Sequence, residues 1–494
     1  MIVLVTILVY FALLLGIARL TGRGNNDAFF RGNRQSPWPL VAVGMIGASV
    51  SGVTFISVPG MVLHSDMTYL QMCLGFIPGY LAVAFILLPV YYKHNLTSIY
   101  TYLDHRFGLR SYKTGASFFL LSKFTGAAAR LYLVCLVLQQ VVFDEMGVPY
   151  ILTAIGTLLL IWLYTRQSGI KTLVWTDTLQ TVCMIITILL IVIKAADMLG
   201  MDFGETVSAI WNDSHSRVFE MSDWASRQNF WKQFLSGFFI VIVMTGLDQD
   251  MMQKNLTCKN LRAAQKDMCL SGILFTPLNL LVLSMGVLMT MLYAQAGMEC
   301  PQAGDNLLTN FIGQGLMGQA VLVFFTIGII ASAFSSADSA MTALTTSFCI
   351  DILNIEKKEQ HRQEQMRKWV HLGMMVIFVL FLLAFKAIGN NSMIDAIYTI
   401  ASYTYGPLLG LFAFGIFTRR HPRDKFVPFI AIASPVICYI TEVTVKHFTG
   451  YTFGYEMLML NGTLTFLGLY FFKGLKDAKT QRHKDIKLCD SATL

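Results

Sequence analysis

The sequence predicts an all-α integral membrane protein arranged as two oppositely oriented groups of helices, and three observations predict it. Of 494 residues, 55% are apolar and 13% charged, with a mean hydropathy of +0.58; soluble domains average about 25% charged residues. Hydropathy marks thirteen apolar spans, near 2–20, 37–62, 69–92, 111–142, 149–165, 172–197, 230–250, 267–293, 317–349, 369–388, 393–417, 426–446 and 455–472. Most approach the roughly 20 residues that a helix needs to cross a bilayer. The basic residues then alternate from loop to loop. Of 37 Lys and Arg, 29 fall in 19–36, 93–113, 166–171, 251–266, 351–368, 418–425 and 473–494.

Basic loops mark the cytoplasmic side, so the N-terminus is expected outside and the C-terminus inside a plasma (inner) membrane. An odd helix count gives the same answer. The net charge of +8 is then a topology signal, and nucleic acid is not an expected partner. The first span is too long, and too poorly followed by small residues, for a cleaved signal peptide. Of nine cysteines only Cys300 falls in an outside loop, and no zinc-type spacing occurs.

The first helix and its loop (1–36) stand apart. Residues 37–197 hold five helices that begin inside, and after a polar outside segment (198–229) residues 230–417 hold five that begin outside. Five is odd, so the halves have opposite orientation, the arithmetic of an inverted-repeat transporter. Residues 418–472 add two peripheral helices, and 473–494 form a cytoplasmic tail.

The first helix of such a repeat is often broken at the membrane midplane. Residues 44–60 suit that role, because Gly44, Gly47, Gly52, Gly60 and three serines permit unwinding and Pro59 removes a backbone donor. Small residues also permit close helix packing, so both readings stand. Ionisable groups inside spans mark pathways by default. Asp177 lies about two turns into the fifth core helix, and Asp338 lies among Ser335, Ser336 and Ser339 on the eighth. Hydroxyls and a carboxylate within one helical turn suit a hard cation such as sodium. The alternative is that the serines bond to their own helix and Asp338 pairs with Lys123 or Arg130; the cation site is the favoured reading. Lys123 and Arg130 are seven apart and share a face of the third core helix. Asp248 and Asp250 are expected at a solvated helix end, and Glu442 snorkels near the outer end of its helix.

Six stretches together resemble the sodium:solute symporter family, over roughly residues 1–475. They are Ala48-Ser-Val-Ser51 with Phe55, Pro59 and Gly60; Tyr102-Leu-Asp-His-Arg106-Phe-Gly108; Ser168-Gly-Ile-Lys-Thr-Leu-Val-Trp175-Thr-Asp177; Asp248-Gln249 through Gln253; Ser335-Ser336 with Asp351; and Gly406-Pro407-Leu-Leu-Gly410. The resemblance implies a LeuT-like five-plus-five inverted repeat with one extra N-terminal and two extra C-terminal helices. It implies Na+ as the coupling ion, at a site formed by Gly47, Val50, Ser332, Ser335 and Ser336. A second sodium site of some members matches Asp177, Ser335, Asp338 and Ser339, although those members carry a hydroxyl where this chain has Asp338.

At the substrate pocket the chain departs from the family's sugar carriers, with Val53, Met72, Cys73, Val241 and Met244 at matching positions. The polar candidates are Ser49, Ser51, Thr54, Gln71, Thr245, Ser402, Tyr403 and Thr404, and Cys73 is kept among the substrate contacts. A polyhydroxylated sugar would leave buried hydroxyls unpaired there, so a small carboxylate or sialic-acid-like anion neutralised by Arg130 or Lys123 is favoured.

The expected function is therefore sodium-coupled import of a small organic solute by alternating access, with sodium, the solute and membrane lipid as partners and oligomeric state left open. Alternatives are a sugar or polyol symporter, proton coupling through Asp338, and more remotely an ion channel. No enzyme is expected, because phosphate-loop, HExxH and GxSxG stretches are absent from the sequence.

Overall fold

The computed structural model describes residues 2–21, 26–144, 146–166, 169–388 and 393–472. Among these there is no strand, only a single bridge between Ser36 and Cys258. The chain forms α1 (Ile2–Thr21), α2 (Trp38–Ser49), α3 (Gly52–Ser65), α4 (Tyr69–Lys93), α5 (Leu109–Leu138), α6 (Tyr150–Thr165), α7 (Ile170–Met198), α8 (Phe230–Gly246) and α9 (Gln249–Asn255). It continues as α10 (Leu261–Gln295), α11 (Gln319–Ile352), α12 (Gln360–Ile388), α13 (Met393–Thr404), α14 (Gly406–Phe417), α15 (Val427–Thr449) and α16 (Met457–Phe471). Among the described residues, seven helices are long and apolar enough to cross a membrane, or up to ten if each bent pair counts as one. Apolar stretches in α1, α6 and α16 are shorter.

Burial separates inner from outer helices. The apolar window of α11 is 71% buried, whereas those of α12 and α15 are 22% buried and face outward. The core gathers around α7, which packs against both α2 and α11.

Three helices break at the places where backbone chemistry allows it. α2 and α3 meet at 53°, with Val50 and Ser51 out of helical geometry. The break therefore spans two residues of the expected 44–60 segment. Pro59 is not its cause, for it lies inside α3. α8 and α9 meet at 68° around Leu247. The carbonyls freed there are satisfied, since the Tyr91 hydroxyl donates to Gly246 O (2.7 Å) and that of Tyr100 to Leu247 O (2.7 Å). α13 and α14 meet at 44°, where Pro407 opens the second half. Asn461 Nδ2 donates to the Ser402 and Tyr403 carbonyls there, at 2.9 and 3.0 Å.

Glycine matters most where α4 crosses α8. A Cβ on Gly75 would lie 2.0 Å from Phe234 O, and one on Gly237 would lie 2.2 Å from Met72 O. Backbone atoms cannot rotate aside, so the crossing must open. Gly75→Ala is expected to lower stability by about 1–3 kcal/mol. Gly156→Ala on α6, whose new methyl meets nothing within 4 Å, should stay within about 0.5 kcal/mol. Thermal unfolding in detergent checks the pair, and equal midpoints would contradict the close crossing.

Candidate functional site

The two breaks around Val50 and Leu247 adjoin one cavity of about 90 Å³. Ser51 occupies the N-cap position of α3, which serine favours. Its side chain makes no cap hydrogen bond and lines the cavity instead. Ser49, Thr54, Thr245, Lys123 and Arg130 also line it, as do the apolar Val53, Val241 and Met244. The Ser49 and Tyr80 hydroxyls lie 3.2 Å apart on its wall.

Five of the substrate candidates lie elsewhere, because helix phase turns them away from the cavity. Gln71 donates to Thr68 O (3.2 Å) and Gln228 O (2.9 Å) and accepts from Glu220 N (3.1 Å). It thus pins the segment before α8, where the Ser222 hydroxyl and amide hold the Glu220 carboxyl below its usual range. Cys73 is buried, and its carbonyl accepts from Thr276 at 3.0 Å. Ser402 bonds back to Tyr398 O at 2.8 Å, as Thr404 does to Ile400 O at 2.7 Å. Tyr403 points toward α15 and donates to Glu442, so the Glu442 carboxylate has a protein partner as well as its place near the helix end.

The charges inside the bundle are paired differently from the expected pairing. Asp248 and Asp250 do not form a solvated helix end: they are 2% and 4% exposed. Lys123 Nζ lies 3.0 Å from Asp248 Oδ2 and 2.7 Å from Asp250 Oδ2. The Tyr405 hydroxyl donates to Asp248 Oδ2 at 2.6 Å, and the Asp250 amide donates to Asp248 Oδ1 at 2.8 Å. Asp338 pairs with neither Lys123 nor Arg130; it accepts from Tyr164 (2.6 Å) and Ser339 (3.2 Å). With Lys123 committed to two carboxylates, Arg130 is the cation on the cavity wall that has no carboxylate within 4.0 Å among the described residues.

Of the residues expected to hold sodium, the structure brings Ser332 to Val50, and Ser335 and Ser339 to Asp177. Ser332 Oγ lies 3.5 Å from Val50 O, which ties α11 to the break between α2 and α3. Gly47 sits so close to α7 that a Cβ would fall 1.8 Å from Thr181 Oγ1. Ser335 donates to Asp177 Oδ1 at 2.9 Å and Ser339 to Asp177 Oδ2 at 3.4 Å. The buried Ser336 hydroxyl lines the cavity and has no hydrogen-bond partner among the described residues.

Lys254 belongs to this neighbourhood and was missed, having been counted among the cytoplasmic loop charges. It is 1% exposed, and its Nζ lies 2.8 Å from Asp177 Oδ2. The available signal was Asp250 four residues earlier, a spacing that puts both on one helix face; the two side chains lie 4.0 Å apart.

A cavity at the meeting point of two broken helices, with hydroxyls on one wall and a guanidinium on another, within a bundle of membrane-length helices, is the arrangement of a membrane transporter. The sequence profile of the sodium:solute symporter family matches residues 29–424, and the chain belongs to that family. It is 25% identical over 458 residues to the sodium/sialic acid symporter NanT of Aliivibrio fischeri, covering 89% of this chain and 87% of that one. It is 25% identical over 419 residues to the human sodium/iodide cotransporter, covering 81% of this chain and 62% of that longer protein. A solved sodium-coupled sialic acid symporter, in its substrate-bound outward-open state, shares the fold with a TM-score of 0.82 at 20% identity. That match covers 95% of this chain and 97% of the other.

Proposed function

We propose that this protein imports a small organic anion, a carboxylate of the sialic-acid or monocarboxylate kind, driven by inward sodium. The single observation that carries the anion reading is Arg130, a cavity-lining guanidinium without a carboxylate partner among the described residues. Its guanidinium is half-buried on the cavity wall, and an anionic solute there supplies the carboxylate partner that the protein does not. The N-terminal end of α3 faces the same cavity and favours negative charge through its free amides. The named cargo of the relatives, sialic acid and iodide, is anionic as well.

The architecture that goes with this reading has thirteen spans, the ten longer ones joined by the shorter apolar helices α1, α6 and α16. Residues 37–197 and 230–417 form the inverted five-plus-five repeat, and its support is that the first helix of each half, α2–α3 and α8–α9, is broken, by 53° and 68°. Residues 418–472 are peripheral, the N-terminus lies outside, and the tail 473–494, outside the described residues, is cytoplasmic.

Sodium is held by the Gly47 and Val50 carbonyls with Ser332, Ser335 and Ser336. Bridging α2 and the break that follows it to α11, it stabilises the form that completes the solute pocket of Ser49, Ser51, Thr54, Thr245 and Arg130. An ion can drive the cycle only through such a difference in affinity between states. The hydrogen-bonded Tyr69 and Tyr398 hydroxyls, 2.9 Å apart, close the way to a second cavity of about 550 Å³ lined by His64 and Asp305, the outer vestibule. Solute closes this gate, and sodium leaves to the cytoplasm. A potential of about 100 mV contributes roughly 2.3 kcal/mol per charge moved.

Uptake by proteoliposomes of a sialic acid, pyruvate, iodide, proline and a hexose, each with and without a sodium gradient, tests the assignment. One of the anions is expected to be taken up with sodium, and Arg130→Ala should raise its KM about 10- to 150-fold, the equivalent of a lost charged hydrogen bond of roughly 1.5–3 kcal/mol. Sodium-driven hexose uptake that is indifferent to Arg130→Ala would overturn the anion reading.

A further inference from the structure

We infer that Lys254 fills, as a tethered cation, the acidic cage formed by Asp177, Ser335, Asp338 and Ser339, so that this chain binds one sodium ion per transport cycle. The inference rests on the sodium reading above and adds its stoichiometry.

The cage has the donor set of a cation site: two buried carboxylates and two hydroxyls contributed by α7 and α11. Its cation is already present. Lys254 arrives from α9, on the far side of the second break, and its ammonium sits 2.8 Å from Asp177 Oδ2. The remaining carboxylate positions are taken by protein donors: Ser335 on Asp177 Oδ1, Ser339 on Asp338 Oδ1, and Tyr164 on Asp338 Oδ2. A sodium ion needs several oxygens at about 2.4 Å, as other hard cations do. An ion at that distance from Asp177 Oδ2 would stand beside the ammonium, with no water between them to screen like charges.

Lysine and sodium differ in one functional respect. Both neutralise Asp177, but Lys254 is covalently held and cannot leave with the solute. The cage therefore holds α9 against α7 and α11 and adds no transported charge. The ion that couples transport is left to the Gly47, Val50, Ser332, Ser335 and Ser336 group, where the Ser336 hydroxyl is unpartnered.

The test counts radioactive sodium bound per purified full-length chain at saturation, by scintillation proximity, in the absence of solute. The wild type is expected to bind one ion and Lys254→Met two, because the uncharged side chain leaves Asp177 for a second sodium. Lys254→Arg, which keeps the cation, should bind one. Two ions in the wild type, or one in a well-folded Lys254→Met, would overturn the inference while leaving sodium coupling intact. No bound sodium in any variant would overturn the sodium reading itself, and this inference with it. If Lys254→Met fails to fold, the wild-type count decides alone.

Discussion

Lys123→Met is expected to cost about 3–5 kcal/mol of stability, enough to remove most of the protein from the membrane in folded form. The magnitude follows from what is left behind. Lys123 serves both Asp248 and Asp250, all three side chains are buried, and methionine keeps the volume while deleting the charge. Asp248 is then left without a cation within 4.0 Å among the described residues and Asp250 with Lys254 alone, at 4.0 Å, and removing one member of a buried ion pair costs in that range. The triple change Lys123→Met, Asp248→Asn, Asp250→Asn removes the uncompensated charge together with its partner, and should recover most of the loss. Yield of monodisperse protein and the thermal midpoint measure both. A single variant as stable as wild type would mean that the network is not what holds α5 to the break between α8 and α9.

Ser336→Ala is expected to behave in the opposite way, keeping the fold and losing the ion. Its hydroxyl is buried and unpartnered, and an unmade buried hydrogen bond costs about 1–3 kcal/mol. Alanine relieves that cost, so the sodium-free thermal midpoint should stay the same or rise. Sodium that binds only the folded state adds stability by mass action, about 2.7 kcal/mol at a hundredfold excess over Kd. The wild type should therefore be more stable in sodium chloride than in choline chloride, and Ser336→Ala should lose that difference. An undiminished sodium effect in the variant would remove Ser336 from the site.

Much of this was legible in the sequence because some signals are local. The break of the first core helix is written in Ser49, Ser51 and Gly52, residues that tolerate non-helical backbone at low cost. The approach of Asp177 to Ser335 and Ser339 followed from the resemblance to the family and from hydroxyls spaced within one turn. Pro59 misled because a missing donor is only one way to break a helix, and α3 accommodates it. Gln71, Cys73, Ser402 and Tyr403 sit on helices that do line the cavity. Which side of a helix faces inward is set by packing against neighbours, and a single segment does not state its neighbours. Lys254, Asp248 and Asp250 were legible only in the one-face spacing of Asp250 and Lys254, for a related reason. Charges at the end of an apolar run look like a solvated terminus until the fold brings Lys123 and Asp177 to them from distant helices.

The central claim is sodium-driven accumulation, and it is tested most directly in proteoliposomes loaded with potassium and clamped with valinomycin. Radiolabelled anion identified by the uptake panel is placed on both sides at equal concentration, and an inward gradient of sodium or of choline is imposed. Concentration of the anion inside, above its outside level, with sodium and not with choline is the predicted result. Equal filling under both gradients, or accumulation driven by a pH gradient without sodium, would contradict the account.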